Sequence, residues 1–436
     1  MKHSTKFALA AASALAAAVG APGSAQAQNA DSLIDKLVEK GILTVKEGQA
    51  LREESDKDFN RAYSAKTGLP DWVTSMKFGG DFRGRFEQHQ IDNTLGSDRN
   101  RFRYRLRVGA TANMLEDFEV GFRLSSGDPS TSGNSIFGGK AITANTTMQD
   151  GASRKFLWVD TAYAKWNPIH NADWNWSVTF GKMDNTLQLS PMVIDADYQP
   201  EGAAIQGAYQ INDKSSLKFN GVFWVLDEFN TSATANPSPS RDPYMYGLQL
   251  IYDTKLCSKI DASLSATWLS IQNKDNLTIG TAPDDNVGNL RDPLTAPAYN
   301  FNAAILGGSL TYKLDSFPMY DGAFPVKFGG EWMHNVSAVS QNEAWNAGIT
   351  LGKAGHKGLW EINYKYEFLR ADAWYEEMVD DDFGSYYSSA DASRGVASAG
   401  LAILSHLPAA DVDDFFSRER PETSWGTAHS EAAIRI

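Results

Sequence analysis

The sequence predicts an all-β chain: a transmembrane antiparallel β-barrel of about 16 strands preceded by a short α-helical periplasmic segment. Three observations carry the prediction. The stretch Arg101-Phe102-Arg103-Tyr104-Arg105-Leu106-Arg107-Val108-Gly109-Ala110 alternates strictly. Segments of ~10 residues with the same period follow one another from Met76 to Leu369. The connections between them are alternately long and short.

Side chains of a strand point to opposite faces in turn. Phe102, Tyr104, Leu106, Val108 and Ala110 therefore share one face, and Arg101, Arg103, Arg105 and Arg107 the other. A helix would mix the two sets. In a soluble sandwich four arginines in file would repel one another in bulk water for no gain. In a membrane barrel that face lines a water-filled lumen and the apolar face meets lipid.

Composition bounds the rest. The chain has 436 residues, 42% of them hydrophobic and 11% aromatic, so it can bury a large core. Beyond the N-terminal leader no segment approaches the ~20 consecutive apolar residues of a spanning helix. A formal net charge of -13 argues against a general nucleic-acid binder, for which a basic domain is expected. Cys257 is the sole cysteine, which excludes an intrachain disulfide and, so far from the leader, lipid attachment.

The N-terminus reads as a secretory signal over residues 1–27. Lys2 and Lys6 supply positive charge, Phe7 to Gly20 an Ala-rich apolar run, and Ala25-Gln26-Ala27 a small-x-small cleavage site. Residues 28–70 read as a helical periplasmic unit. Leu33, Ile34, Leu37 and Val38 form an apolar stripe at helical spacing, Gly41 interrupts it, and a second helix runs from about Lys46 to Tyr63. A self-associating helix pair, a peptidoglycan contact and a spacer all fit this unit.

The barrel occupies residues 71–384. Its first strand, Lys77 to Glu87, sets Phe78, Phe82 and Phe86 against Lys77, Asp81, Arg83, Arg85 and Glu87. The arginine strand is the second. In the third, Phe118 to Ser125, Phe118, Val120, Phe122 and Leu124 oppose Glu119 and Arg123. The pattern continues at Phe156 to Trp166, Trp174 to Lys182, Ala203 to Ile211, Leu217 to Leu226 and Tyr244 to Tyr252. It goes on at Ile260 to Ile271, Phe301 to Leu314, Val326 to His334, Trp345 to Leu351 and Leu359 to Leu369.

Long connections (Gln88 to Asn100, Ser126 to Lys155, Met183 to Gly202, Asp227 to Pro243, Gln272 to Asn300) alternate with short ones (Asn113 to Asp117, Asn167 to Asp173, Asn212 to Ser216, Asp253 to Lys259). Short turns on one rim and long loops on the other are what a barrel shows; a sandwich has no reason for the beat. Aromatics such as Trp166, Trp174, Trp332 and Trp345 mark segment ends, where the headgroup level favours them.

The sequence resembles Gram-negative outer-membrane porins, most of all the porin family whose members carry a short helical segment before the barrel. The likeness lies in Leu33 to Thr44, in Asp195-Ala196-Asp197-Tyr198-Gln199-Pro200-Glu201-Gly202 and in Phe324-Pro325-Val326-Lys327-Phe328-Gly329-Gly330-Glu331. It implies an outer-membrane channel for passive diffusion of small hydrophilic solutes and ions, embedded in lipid and lipopolysaccharide, homotrimeric, with no cofactor and no nucleic-acid partner. It also implies that the third long loop, Met183 to Gly202, folds inward, so that Asp195, Asp197 and Glu201 face the lumen opposite the arginines. The pore-lining set is then Arg83, Arg85, Arg101, Arg103, Arg105, Arg107, Arg123, Asp195, Asp197 and Glu201.

On the polar faces of the first three strands Lys77 and these arginines outnumber Asp81, Glu87 and Glu119, so the local wall is expected to prefer anions. The plainer alternative is that the arginines pair with neighbouring carboxylates and fill the wall. A second function class also fits, an anchor, tether or adhesive protein whose helices or long loops hold the partner. Weaker constellations are His334, Asn335 and Ser337, whose residue types would suit a lipid hydrolase, and the acidic run Glu376, Glu377, Asp380, Asp381, Asp382, which reads as a solvated loop or a divalent-cation site. From residue 385 to 436 the alternation fades and the chain finishes on Ala433-Ile434-Arg435-Ile436 rather than on an aromatic-ended strand. Three closing strands are expected there, and a change of reading frame near Ser385 would explain their poor pattern.

Overall fold

A computed structural model describes residues 70, 72–89, 99–132, 135–228, 242–278, 282–283, 285, 288–291, 296–354 and 359–380, with the backbone of Ser393–Ile403 and Ser430–Ala432. The chain divides into two units, Met1–Ser75 and Met76–Ile436. The signal sequence, and all of the helical segment but Pro70, lie outside the described residues.

All thirteen sequence segments are strands. They are β1 (Val73–His89), β2 (Arg99–Met114), β3 (Phe118–Ser126), β7 (Leu157–His170), β8 (Trp174–Lys182), β9 (Glu201–Asn212), β10 (Ser215–Val225), β11 (Tyr244–Cys257), β12 (Ile260–Gln272), β13 (Phe301–Leu314), β14 (Phe324–Asn335), β15 (Glu343–Gly352) and β16 (Trp360–Arg370). The loop after β3, expected to be irregular, contains the hairpin β4 (Pro129–Ser132) and β5 (Ser135–Gly139), then β6 (Thr146–Thr147), which pairs with β2 at Tyr104 and Arg103. The rest join in chain order and, with β6, make one 16-stranded sheet. From β1 to β16 each strand of that path reverses onto its predecessor, so local pairing alone builds the meander.

The C-terminal region departs from expectation. It supplies β17 (Ser393–Ile403), antiparallel to β16, and β18 (Ser430–Ala432), which pairs parallel to β17 at Ala399 to Leu401. The small-residue run at Gly395 is thus a strand, but three antiparallel closing strands are not seen among the described residues. Among the described residues no ladder joins β1 to β18.

The distribution of side chains is inverted relative to a soluble protein. Phe102 is 59% exposed and its neighbour Arg103 2%. The same inversion runs round the sheet: Phe78, Phe122, Phe180, Leu248, Leu264, Leu306, Phe328 and Tyr364 are exposed, while Glu87, Thr179, Gln249 and Glu367 are buried. A contiguous apolar exterior of this extent has lipid as its natural solvent.

The sheet curls around its polar face. Asp197 meets Arg105 on β2, while Ser190, seven residues earlier, meets Glu331 on β14. These strands are nine steps apart in the sheet order, about 43 Å if it were flat. Seven residues fully extended span at most about 25 Å, and this segment is folded into turns, with Val193 N and Ile194 N both donating to Ser190 O and Tyr198 N to Asp195 O, so it spans far less. The loop between β8 and β9 therefore lies inside the curve, as the resemblance implied.

The interior is not uniformly wet. Along β12 the inward residues run Asp261, Ser263, Ser265, Thr267, Leu269, Ile271, polar at the short-turn rim and apolar at the long-loop rim. On that apolar end Met192, Val193 and Ile194 of the inward loop pack with Trp224, Met245, Leu269, Phe301, Met333 and Trp374. This corrects the expectation of a lumen lined by polar residues throughout: a dry inner core fixes the loop from one side.

Candidate functional site

The arginine file of β2 stands edge-on to the carboxylates of β1. Glu87 takes an ion pair from Arg85 at 2.9 Å, the guanidinium Nε of Arg101, and Arg103 at 3.3 Å. Asp81 takes Arg105 at 3.1 Å and Arg107 at 2.6 Å. From the loop side Asp197 accepts from Arg105 at 2.8 Å and lies 3.7 Å from Arg83 and 3.9 Å from Arg107. Arg83 also donates to Asn145 Oδ1 at 2.8 Å, and Arg103 to Asn145 O at 3.3 Å. Arg123 bridges Asp160 on β7 and Asp184 at the root of the inward loop, the latter at 2.6 Å. Charge-assisted bonds of this kind are directional, and the planar guanidinium lets one arginine hold two carboxylates at once.

The ten residues singled out from sequence thus separate. The arginines of β1 and β2 and Asp197 form one network, while Arg123 makes a separate bridge between Asp160 and Asp184. Asp195 has a different place: its side chain is buried, its Oδ1 accepts from the Asp197 amide at 2.5 Å, and its own amide donates to Met378 O at 2.8 Å. It shapes the turn that presents Asp197. Glu201 is the first residue of β9 and pairs with Lys182 at 3.1 Å, away from the arginines.

Sequence reasoning missed the other anchor of the loop. The Ser190 amide donates to Glu331 Oε2 at 3.1 Å and its hydroxyl to the same carboxylate at 2.5 Å, while Asn346 Nδ2 donates to Ser190 Oγ at 2.8 Å. Gln188 N donates to Gln249 Oε1 at 2.9 Å, and Gln249 Nε2 returns a bond to Gln188 O at 3.0 Å. Polar inward positions Glu331 and Asn346, each one inward step from apolar Met333 or Ala344, and Gln249, two inward steps from Met245, were the available signal. Two sets of polar ties and one apolar face hold the loop across the lumen.

A second long-loop segment closes over the first. Glu376 and Glu377, which read as a solvated acidic run, are buried: Arg291 pairs with Glu376, Asn289 N donates to Glu376 at 2.6 Å, and Asp285 N to Glu377 at 3.1 Å. Asp381 and Asp382 lie outside the described residues. Asp372 accepts from Leu290 N at 2.9 Å, and burial pushes its carboxyl up to about 6. Burial, reinforced by Glu377 and Glu376, holds the Tyr375 phenol well above its ordinary range. Among the described residues no cluster suited to a metal ion is present. His334 stacks on Trp332, and buried Asn335 binds Asn300 O and Asp372 O and accepts from the Ser337 amide at 3.1 Å, while the Ser337 hydroxyl accepts from Asn302 Nδ2 at 2.7 Å.

Residues 91–274 match the family model described as "Putative porin". No curated protein matches the chain in sequence. Solved structures similar to it include OprB of Pseudomonas putida, at 11% identity over 77% of this chain and 95% of that one, with a TM-score of 0.38. The outer membrane channel DcaP of Acinetobacter baumannii is 13% identical over 67% and 90%, with a TM-score of 0.33. Salmonella typhi OmpF is 10% identical over 74% and 96%, with a TM-score of 0.36.

Proposed function

We propose that this chain is an outer-membrane channel through which small hydrophilic solutes and ions diffuse passively. One observation carries the reading: a 16-stranded sheet with an apolar exterior curls around charged and hydroxylated side chains and a loop tied across the middle. Such a wall needs lipid outside and water inside. The loop sets the width, and the wall charge sets which ions enter. The match of residues 91–274 to a porin model supports the same reading.

The finer parts of the proposal are anion preference, supported by the file Arg101 to Arg107 with Arg83, Arg85 and Arg123 on one wall, and a homotrimer in a lipopolysaccharide-bearing membrane, supported by the broad apolar exterior. Refolded chain in a planar bilayer under a salt gradient tests the first: discrete conductance steps are expected, with an anion-selective reversal potential that weakens in Arg103→Glu and Arg105→Glu. Cation selectivity would give control to the carboxylates instead. Absence of steps would favour the anchor or tether reading. Cross-linking in membranes tests the trimer.

A further inference from the structure

Among the described residues two recesses lie on the wall formed by β11 to β16, and they share Ser263, Ser309 and Lys327. The upper one, about 450 Å³, sits below Gln188 to Pro191 of the inward loop; the lower, about 390 Å³, reaches Asp213 and Lys214 at the turn between β9 and β10. Joined end to end, they make a track from the loop to the short-turn rim. The upper volume alone falls in the range of small-molecule sites, about 300–1,000 Å³.

The floor of the upper recess is bare. Inward glycines Gly307, Gly329 and Gly348 stand on three neighbouring strands, Gly329 directly opposite Gly348. A Cβ at Gly307 would come within 2.5 Å of Ser265 Oγ, so these glycines are what keeps the hydroxyl wall accessible. Ser263, Ser265, Ser309 and Thr350 surround the floor, and no aromatic side chain lines either recess.

Much of the charge of this wall is paired. Lys218 pairs with Asp253 at 2.6 Å, Lys313 with Asp261 at 2.5 Å and Lys365 with Glu367 at 3.0 Å. Three lysines that line the recesses make no ion pair among the described residues: Lys214 and Lys255 in the lower one only, and Lys327 in both. Lys327 is exposed and faces Thr311 and Thr350 across the ladders.

From these observations we propose that the joined recess is a solute-binding station on the inner wall, built for a small polyhydroxylated carboxylate of the sugar-acid class. The carboxylate meets Lys327 Nζ at the junction of the two recesses, and the hydroxyls exchange bonds with the serines and Thr350 above it. Lys327, the one lysine without an ion pair that lines both recesses, fits one carboxylate at their junction. Hydroxyl-bearing walls favour a solute that can both donate and accept, whereas an apolar acid leaves them unpaired. Binding must stay weak for the solute to leave, and a wall of exchangeable hydroxyls without stacking surfaces provides that. The proposal rests on the channel reading for its purpose but not for its detection.

The test uses the full chain, folded, with gluconate as probe and glucose and propionate as comparators. In planar bilayers gluconate should reduce ion current saturably. Lys327→Gln should weaken that effect about tenfold or more, as loss of a charge-assisted bond requires, Lys327→Arg should retain it, and Gly329→Leu, which fills the floor, should abolish it while conductance steps persist. Calorimetry in micelles reads the same binding without a channel. Binding by calorimetry without conductance steps would overturn the channel reading and keep the site. Steps without any gluconate effect would overturn the site. Equal effect by glucose would remove the role given to Lys327, and equal effect by propionate the role given to the hydroxyls. A failure of Lys327→Gln to fold leaves Lys327→Arg and Gly329→Leu to decide.

Discussion

Asp197 holds Arg105 at 2.8 Å across 92 residues of chain. The carboxylate comes from the loop inside the curve, the guanidinium from the wall, and both are largely withdrawn from water. Asp81 shares the same arginine from β1.

Asp197→Ala leaves three arginines around a vacated position. Breaking a largely buried pair from one side costs about 3–5 kcal/mol; lumen water screens part of it here, so a loss of about 2–3 kcal/mol is expected. Denaturant titration of the folded chain in lipid measures it. An unchanged midpoint would show that Arg105 is satisfied by Asp81 alone.

Glu331 anchors the opposite end of the loop through the amide and hydroxyl of Ser190. Glu331→Ala should free that end, raising single-channel conductance and exposing the 183–200 segment to protease. Glu331→Gln keeps an acceptor and should change both less.

Asp372 gives a pH dependence whose sign follows from burial. Its carboxyl is raised from 3.8 to about 6, so the folded state favours the protonated form. The stability it contributes is fully present below the ordinary carboxylate range and is lost as pH rises through about 6. Its Oδ2 is buried without a hydrogen bond, in keeping with that cost. Asp372→Asn should raise the melting temperature at pH 7.5 and barely change it at pH 4, a difference of about 1–2 kcal/mol after screening.

Leu106, between buried Arg105 and half-buried Arg107, is 40% exposed on the outer face. Leu106→Lys places a charge in lipid. Folding into bilayers should weaken by about 2–4 kcal/mol, less if the position lies near an interface. No effect would mean that this face does not meet hydrocarbon.

The strands were legible because the pleat is local. Which of two neighbours, Phe102 or Arg103, faces which side follows from parity alone, and so does the inversion that marks a membrane wall. The turns between successive strands are equally local, which is why thirteen segments could be placed in order. Period-two reading could not separate an apolar residue facing lipid from one facing a dry interior. Leu264 and Leu269 look alike in sequence; one is exposed and the other is in the inner core.

By itself, then, the sequence determined the strand order, the two faces and the alternation of rims, all set within a few residues of chain. Only the tertiary structure decided that Asp197 rather than Asp195 or Glu201 meets the arginines, that Glu331 holds the other end of the loop, that Glu376 and Glu377 are buried, and that β18 runs parallel to β17. Each of those depends on how far the sheet curls, and the curl brings together residues whose separation along the chain carries no information about their distance in space.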